Sequence, residues 1–264
     1  MALSSNRDPI GVAVAGLGFG ASVHLPALEA NPDLKAVALW HPRSERLDQV
    51  GRDTSLKGYE AFDALLEDPS VEAVIIATPP GPRYDLALRA LAAGKHLLLE
   101  KPVALNADQV ADLQRTASSA GLSVAVDFEY RAVPLFQQTE KLLSNGAIGT
   151  PWLARLDWLM SSRANPKRPW NWYAKADEGG GVLGALGTHA FDMLAWLIGP
   201  VQTLQSITQT AIAHRPDASG DSQAVTAEDI ALINTTLTTH QGAPLAAQVA
   251  LASVARNGRG CWLE

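Results

Sequence analysis

The stretch Ile10-Gly11-Val12-Ala13-Val14-Ala15-Gly16-Leu17-Gly18-Phe19-Gly20-Ala21 carries an apolar run, too short for a helix, straight into glycines. A buried parallel strand that ends in a tight turn has this pattern. The turn has the form G-x-G-x-x-A, with Gly16, Gly18 and Ala21 at the small positions. Gly16 permits the turn, Gly18 lets backbone approach a pyrophosphate, and Ala21 lets the next helix pack close to the strand. That helix is predicted over Ser22–Ala30, so its first N–H groups, with Phe19 and Gly20 beside them, face the phosphates. A strand before, a helix after and another strand beyond turn a weak glycine match into a prediction of dinucleotide binding.

At 264 residues the chain is long enough for two domains. Its formal net charge of −6 argues against general nucleic-acid or anionic-membrane binding. The single cysteine, Cys261, excludes an internal disulfide and any multi-cysteine metal site, which suits a reducing compartment. No metal is expected. Met1–Pro9 is polar and lacks the apolar core of a secretory leader, and no apolar run approaches the ~20 residues that span a bilayer. A cytoplasmic protein is the expectation. At the other end, Cys261–Glu264 reads as a strand beginning after the turn Asn257–Gly260. Either the chain is a fragment or its last sheet is completed by something else.

Asp33–Trp40 reads as the second strand. An NAD-binding unit carries an acid near the end of this strand, about 20 residues past the glycines, for the ribose 2′-hydroxyl. Here the tip is Trp40-His41-Pro42-Arg43-Ser44, without an acid. His41, Arg43 and Ser44, with Arg46 one turn on, suit a 2′-phosphate instead, so NADP is expected ahead of NAD. Ser44–Val50 and Asp63–Glu67 are short helices, and Val71–Ala77 is a third strand that stops at Thr78-Pro79-Pro80. Tyr84–Ala93 is a helix closed by Gly94, and His96–Leu99 is a strand that delivers Glu100-Lys101-Pro102 to the same sheet edge. Asn106 caps a helix over Ala107–Ala120, Gly121 ends it, and Leu122–Val126 is a fifth strand. Alternating strands and helices mean a parallel, doubly wound sheet.

Gly16-Leu17-Gly18-Phe19-Gly20, Ala77-Thr78-Pro79-Pro80, Ala93-Gly94-Lys95-His96 and Glu100-Lys101-Pro102 together resemble the Gfo/Idh/MocA oxidoreductases. The resemblance continues through Gly146-Ala147-Ile148-Gly149 and Gly179-Gly180-Gly181-Val182-Leu183, and so covers nearly the whole chain. It implies that Lys101 sits between nicotinamide and substrate with Glu100, Thr78 and Pro79 near the cofactor. On spacing alone Lys101 reads as a surface lysine at a strand end.

The pattern changes after Val126. Asp127–Arg131, with Tyr130 and Arg131 as substrate-side candidates, leads into a helix over Pro134–Leu143. Pro151–Met160 reads as a strand with Trp152, Leu156 and Trp158 on one face and Arg155 and Asp157 on the other. The resemblance places the loop bearing Trp170, Trp172 and Tyr173 beside the substrate, with Trp172 as the candidate; its residues alone suit a flat aromatic surface for a ligand and a packed cluster equally. Gly179-Gly180-Gly181 allows close backbone approach, and Val182–Ile198 is a helix stopped by Gly199-Pro200. His189 and Asp192 are i and i+3 on it, which suits a proton-exchanging imidazole oriented by a carboxylate. The resembling family carries an aspartate four residues before this histidine, where this chain has Ala185. Leu204–Ile212, Asp229–Thr238 and Pro244–Val254 read as strands, and His214–Ser222 as a disordered polar segment.

The expectation is therefore an α/β chain of two domains. Residues 1–125 form a Rossmann unit, and 126–264 an α+β domain with a mostly antiparallel open sheet that pairs copies into a homodimer or homotetramer. The expected activity is hydride transfer between NAD(P) and a hydroxyl or carbonyl carbon of a sugar, polyol or related small molecule. Lys101 polarises the oxygen, His189 exchanges its proton and Asp192 orients the imidazole. A cofactor-binding regulator without turnover, and an imine or enone reductase, are the alternatives.

Overall fold

The computed structural model describes residues 8–264, which separate into two compact units, one ending at Asp127 and the other starting at Phe128. The leading residues read above as too polar for a leader fall, up to Arg7, outside the described part.

The first unit runs β1 (Ile10–Ala15), a π-helical turn (Gly20–His24) continued as α1 (Leu25–Glu29), β2 (Leu34–Trp40), α2 (Ser44–Thr54), β3 (Lys57–Tyr59) and α3 (Phe62–Leu66). It continues through β4 (Ala73–Ile76), α4 (Pro80–Ala92), β5 (His96–Leu99), α5 (Ala107–Ala120) and β6 (Val124–Val126). The six strands are parallel in the order β3-β2-β1-β4-β5-β6. Strand β1 reads as a continuous apolar run because both of its faces are covered. Ala13 and Ala15 pack toward Leu86, Ala90 and Leu113, while Val12 and Val14 pack toward Leu25, Leu28 and Leu39. The order reverses between β1 and β4, which opens a crevice at the carboxyl edge there, the usual ligand position in such sheets.

Local chemistry explains the agreements and the departures. Asn106 accepts a hydrogen bond from the Gln109 N–H at 2.9 Å, and Gly121 closes α5 at φ +65°, so both ends fall where read. Helix α4 starts earlier than expected, because Pro80 is its first residue, where a missing N–H costs nothing. Strand β3, three residues on the sheet edge, had no signal of its own.

The second unit runs α6 (Pro134–Ser144), β7 (Leu153–Leu159), a π-helical turn (Leu183–Gly187) continued as α7 (Thr188–Leu197), and β8 (Val201–Gln209). Then come β9 (His214–Pro216), β10 (Ser222–Ala224), β11 (Ile230–Thr238), β12 (Pro244–Ala252) and β13 (Gly260–Leu263). Five of these strands form a mixed sheet in the order β13-β7-β12-β11-β8, antiparallel except for the parallel pair β7–β12. Helix α7 lays Met193, Leu194 and Leu197 on one face, against Leu156, Trp158, Ile233 and Val249. Along the other face one register row reads Ile207, Leu232, Ala250, Asp157, Trp262, with Ile207 73% and Leu232 53% exposed.

Two expectations are corrected here. Trp152 precedes β7 and is 90% exposed, so the buried face is Ala154, Leu156 and Trp158. His214–Ser222 is an ordered hairpin of β9 and β10, held because buried Arg215 donates to the carbonyls of Asn165 and Arg163. No helix among the described residues is long and apolar enough to cross a membrane.

Candidate functional site

At the end of β1, Gly16 adopts φ +100°, and a Cβ there would lie 2.7 Å from the Ala77 carbonyl and 2.9 Å from the Thr78 nitrogen. Only glycine lets the turn cross the end of β4 so closely. A Cβ on Gly18 would meet nothing within 4 Å, so this backbone is open to a ligand. The tight packing of the helix start on the strand belongs to Gly20, whose Cβ would lie 2.7 Å from Val14 Cγ1. Ala21, expected in that role, is only partly buried. Thr78, 7% exposed, has a buried hydroxyl without a hydrogen-bond partner among the described residues. An open glycine backbone and an unused hydroxyl at one sheet edge fit a dinucleotide.

At the tip of β2, His41 Nδ1 accepts from the Arg43 N–H, and burial followed by the Arg43 charge lowers the imidazole pKa. Arg43 is exposed, whereas Arg46 reaches back so that Nη2 donates to the Leu17 carbonyl at 3.3 Å, inside the glycine turn. Arg46 therefore touches the turn directly, one helical turn beyond the residue singled out from spacing.

Two buried polar groups, His24 and Glu100, meet the half-buried Asp127. His24 Nε2 lies 2.9 Å from Glu100 Oε1 and 3.8 Å from Asp127 Oδ2, and the ring of exposed Phe19 stands edge-on to the imidazole. Glu100 Oε2 accepts the Lys101 N–H at 3.2 Å, and the Lys101–Pro102 peptide is cis. Burial pushes the Glu100 carboxyl up, but the His24 hydrogen bond and charge, Asp127 and Lys101 outweigh it, leaving the pKa lower than a glutamate's ordinary value. His24, Glu100 and Asp127 each offer a ligand atom within 4.8 Å of the others. Both Glu100 oxygens are already engaged, so the cluster reads as a hydrogen-bonded brace. The sequence reading missed His24, although a histidine in the apolar context Val23-His24-Leu25 was a signal for a buried one.

In the second unit, His189 at the start of α7 is 3% exposed. Rings of Phe128 (5.8 Å), Tyr130 (5.0 Å) and Trp158 (5.8 Å) pack around its imidazole, and Glu129 Oε1 lies 3.7 Å from Nε2. Asp192, expected to orient that ring, receives a fork from Arg131 instead, Nε to Oδ2 at 2.8 Å and Nη2 to Oδ1 at 2.6 Å. A guanidinium matches a carboxylate's two oxygens at once, which favours this pairing.

The aromatic loop is a packed cluster. Trp170 Nε1 donates to the Ala224 carbonyl, Arg163 lies over the Tyr173 ring at 3.4 Å, and the Trp172 and Tyr173 rings are 5.7 Å apart. The glycine run serves internal approach: a Cβ on Gly180 would strike three carbonyls, those of Trp172, Tyr173 and Lys175, at 2.4–2.6 Å. One on Gly181 (φ +91°) would lie 2.4 Å from Glu228 Oε1, which accepts the Leu183 N–H at 2.8 Å. Ala185 lies within the π-helical turn that follows.

Comparison with known proteins agrees with this geometry. Residues 10–128 match the oxidoreductase family with an NAD-binding Rossmann fold, and residues 136–262 match the GFO/IDH/MocA C-terminal domain. An uncharacterized oxidoreductase of Synechocystis sp. is 44% identical over 256 residues, 96% of this chain and 68% of that protein. Levoglucosan dehydrogenase of Pseudarthrobacter phenanthrenivorans is 30% identical over 198 residues, 75% of this chain but 48% of its own length. The crystal structure of an oxidoreductase domain protein from Kribbella flavida superposes with a TM-score of 0.88 at 25% identity, covering 97% of this chain and 71% of that one. Both units, joined in the same order, thus carry one family's pattern, and the chain belongs to the Gfo/Idh/MocA oxidoreductase family.

Proposed function

We propose that this chain is a cytoplasmic NAD(P)-dependent oxidoreductase acting on a hydroxyl or carbonyl carbon of a sugar, polyol or related small molecule. The observation that carries the reading is the carboxyl edge of the first unit. There the open backbone at Gly18, the unused Thr78 hydroxyl and the braced Glu100–Lys101–Pro102 segment end neighbouring strands of one sheet. The similarity to a levoglucosan dehydrogenase supports sugars as the first substrate class to try.

A bound nicotinamide supplies the hydride or accepts it. The Lys101 ammonium polarises the substrate oxygen, as a compact cation does well. The His189 imidazole exchanges the hydroxyl proton, since an imidazole nitrogen can accept a proton and return it. Asp192 anchors Arg131, and the rings of Phe128, Tyr130 and Trp158 fix the plane of His189. Cofactor choice favours NADP: the tip of β2 carries no carboxylate, and His41, Arg43 and Arg46 offer a 2′-phosphate nitrogen donors. A second copy covers the open sheet face at Ile207 and Leu232, and sedimentation of wild type against Ile207→Glu tests that pairing.

The test of function is a nicotinamide-fluorescence titration with NADPH and NADH, followed by turnover on a polyol, sugar and carbonyl panel with Lys101→Ala alongside. Tight NADPH binding with turnover lost in Lys101→Ala supports the assignment, and binding of neither nucleotide overturns it. Binding without turnover on any substrate favours a cofactor-binding regulator, the outcome to which Ala185 points.

A further inference from the structure

The loops after β4 and β5 carry Thr78–Pro79 and Glu100–Lys101–Pro102, and a single buried side chain ties them together. Arg83, in the first turn of α4, is 3% exposed. Its Nη2 donates to the Thr78 carbonyl, and its Nη1 donates to the Glu100 carbonyl at 2.5 Å and to the Pro102 carbonyl. Two of these acceptors bracket Lys101 along the chain. Burial lowers the guanidinium pKa to about 10 against the charge of Glu100, a value that leaves it protonated at neutral pH.

Burying a cation is costly, and among the described residues no carboxylate forms an ion pair with this one. Its Nη donors go to backbone carbonyls from two separate loops, while its buried Nε–H has no hydrogen-bond partner among the described residues. That arrangement fixes loop geometry rather than charge balance, and only a planar fork provides it. On the other side of the same segment, His24 holds the Glu100 carboxylate. Lys101 is therefore attached to a backbone gripped from both sides.

We infer that Arg83 is a positioning residue for Lys101, holding the β5 loop against the β4 loop so that the lysine amine keeps one place at the sheet edge. The inference rests on the reading of Lys101 as the group that polarises the substrate. Displacing a reacting group by about 1 Å costs on the order of 100-fold in rate. Arg83→Ala is therefore expected to lose about 100-fold in kcat while NADPH affinity changes several-fold at most. Arg83→Lys keeps the charge but loses the fork, and is expected to remain near the alanine level. Guanidinium added to Arg83→Ala at millimolar concentration restores kcat at least tenfold, and methylammonium does not.

Three measurements separate this inference from the reading beneath it. Thermal unfolding checks that each variant is folded, and Arg83→Lys carries the test if Arg83→Ala does not fold. Turnover in Lys101→Ala equal to wild type would sink the role of the lysine, whatever Arg83 does. Reductive ¹³C-methylation reports on the amine without turnover: the NMR resonance that Lys101→Arg removes shifts in Arg83→Ala and returns with guanidinium. An unshifted resonance, a fully active Arg83→Lys, or kcat and NADPH affinity falling in the same proportion would each overturn the inference.

Discussion

Gly181→Ala tests how the start of the His189 helix is held. Gly181 sits at φ +91°, so an alanine there carries about 1–2 kcal/mol of backbone strain. Its methyl would also overlap Glu228, with Oε1 2.4 Å and Oε2 2.8 Å away, and the carboxylate must swing off. Swinging off breaks its hydrogen bond from the Leu183 N–H, worth about 1.5–3 kcal/mol for a charged acceptor. Together the single substitution is expected to cost about 2.5–5 kcal/mol. Glu228→Ala removes the carboxylate beforehand, so in that background Gly181→Ala should cost only the strain, about 1–2 kcal/mol. Urea unfolding of wild type, both single variants and the double variant gives the coupling directly, provided the slope m is unchanged. If Gly181→Ala costs the same in both backgrounds, the contact with Glu228 does not decide why glycine stands there, and the reasoning fails.

Three further outcomes are expected. Arg46→Ala should weaken NADPH binding about tenfold or more, and exposed Arg43→Ala clearly less, by fluorescence titration; the reverse order would return the phosphate role to Arg43. Because Glu100 has a depressed pKa in the folded state, its stabilisation is complete above the ordinary carboxylate pKa near 4.3 and disappears as pH falls through the depressed value. Melting temperature plotted against pH should therefore fall more steeply below about pH 4 in wild type than in Glu100→Gln, and parallel curves would refute it. Asn106→Ala removes the α5 cap and should cost about 1 kcal/mol, read as a drop of a few degrees in Tm.

What the sequence disclosed was local in its chemistry. Helix α5 was readable because Asn106 and Gly121 satisfy its two ends from within a few residues, and β1 because burial on both faces leaves a continuous apolar run. The hairpin of β9 and β10 was not, since it is held by Arg215 reaching carbonyls some fifty positions earlier, and its own residues are polar. The same divide runs through the candidate site. The glycine positions follow from turn signals, whereas Lys101 stands out only through the family resemblance, its strand-end place alone reading as a surface lysine. Arg83, one residue before the helix expected over Tyr84–Ala93, resembles any solvated arginine until the fold turns it inward onto three carbonyls. Glu129 beside His189, and Glu228 against Gly181, are likewise pairs that only tertiary packing creates.

The parallel pairing of β7 with β12 also bears on the order in which the chain becomes structured. Leu153 pairs with Ala246, 93 positions later (246 − 153), and β13 then closes on the other side of β7. Every strand of the first sheet lies before Asp127, so a ribosome has released that whole sheet before β7 finds either neighbour. Until then β7 presents two open edges and the apolar side chains of Leu156 and Trp158, the kind of segment a holding chaperone would shield. The entropy of closing so long a loop falls on the second unit alone, which should be the slower of the two to fold.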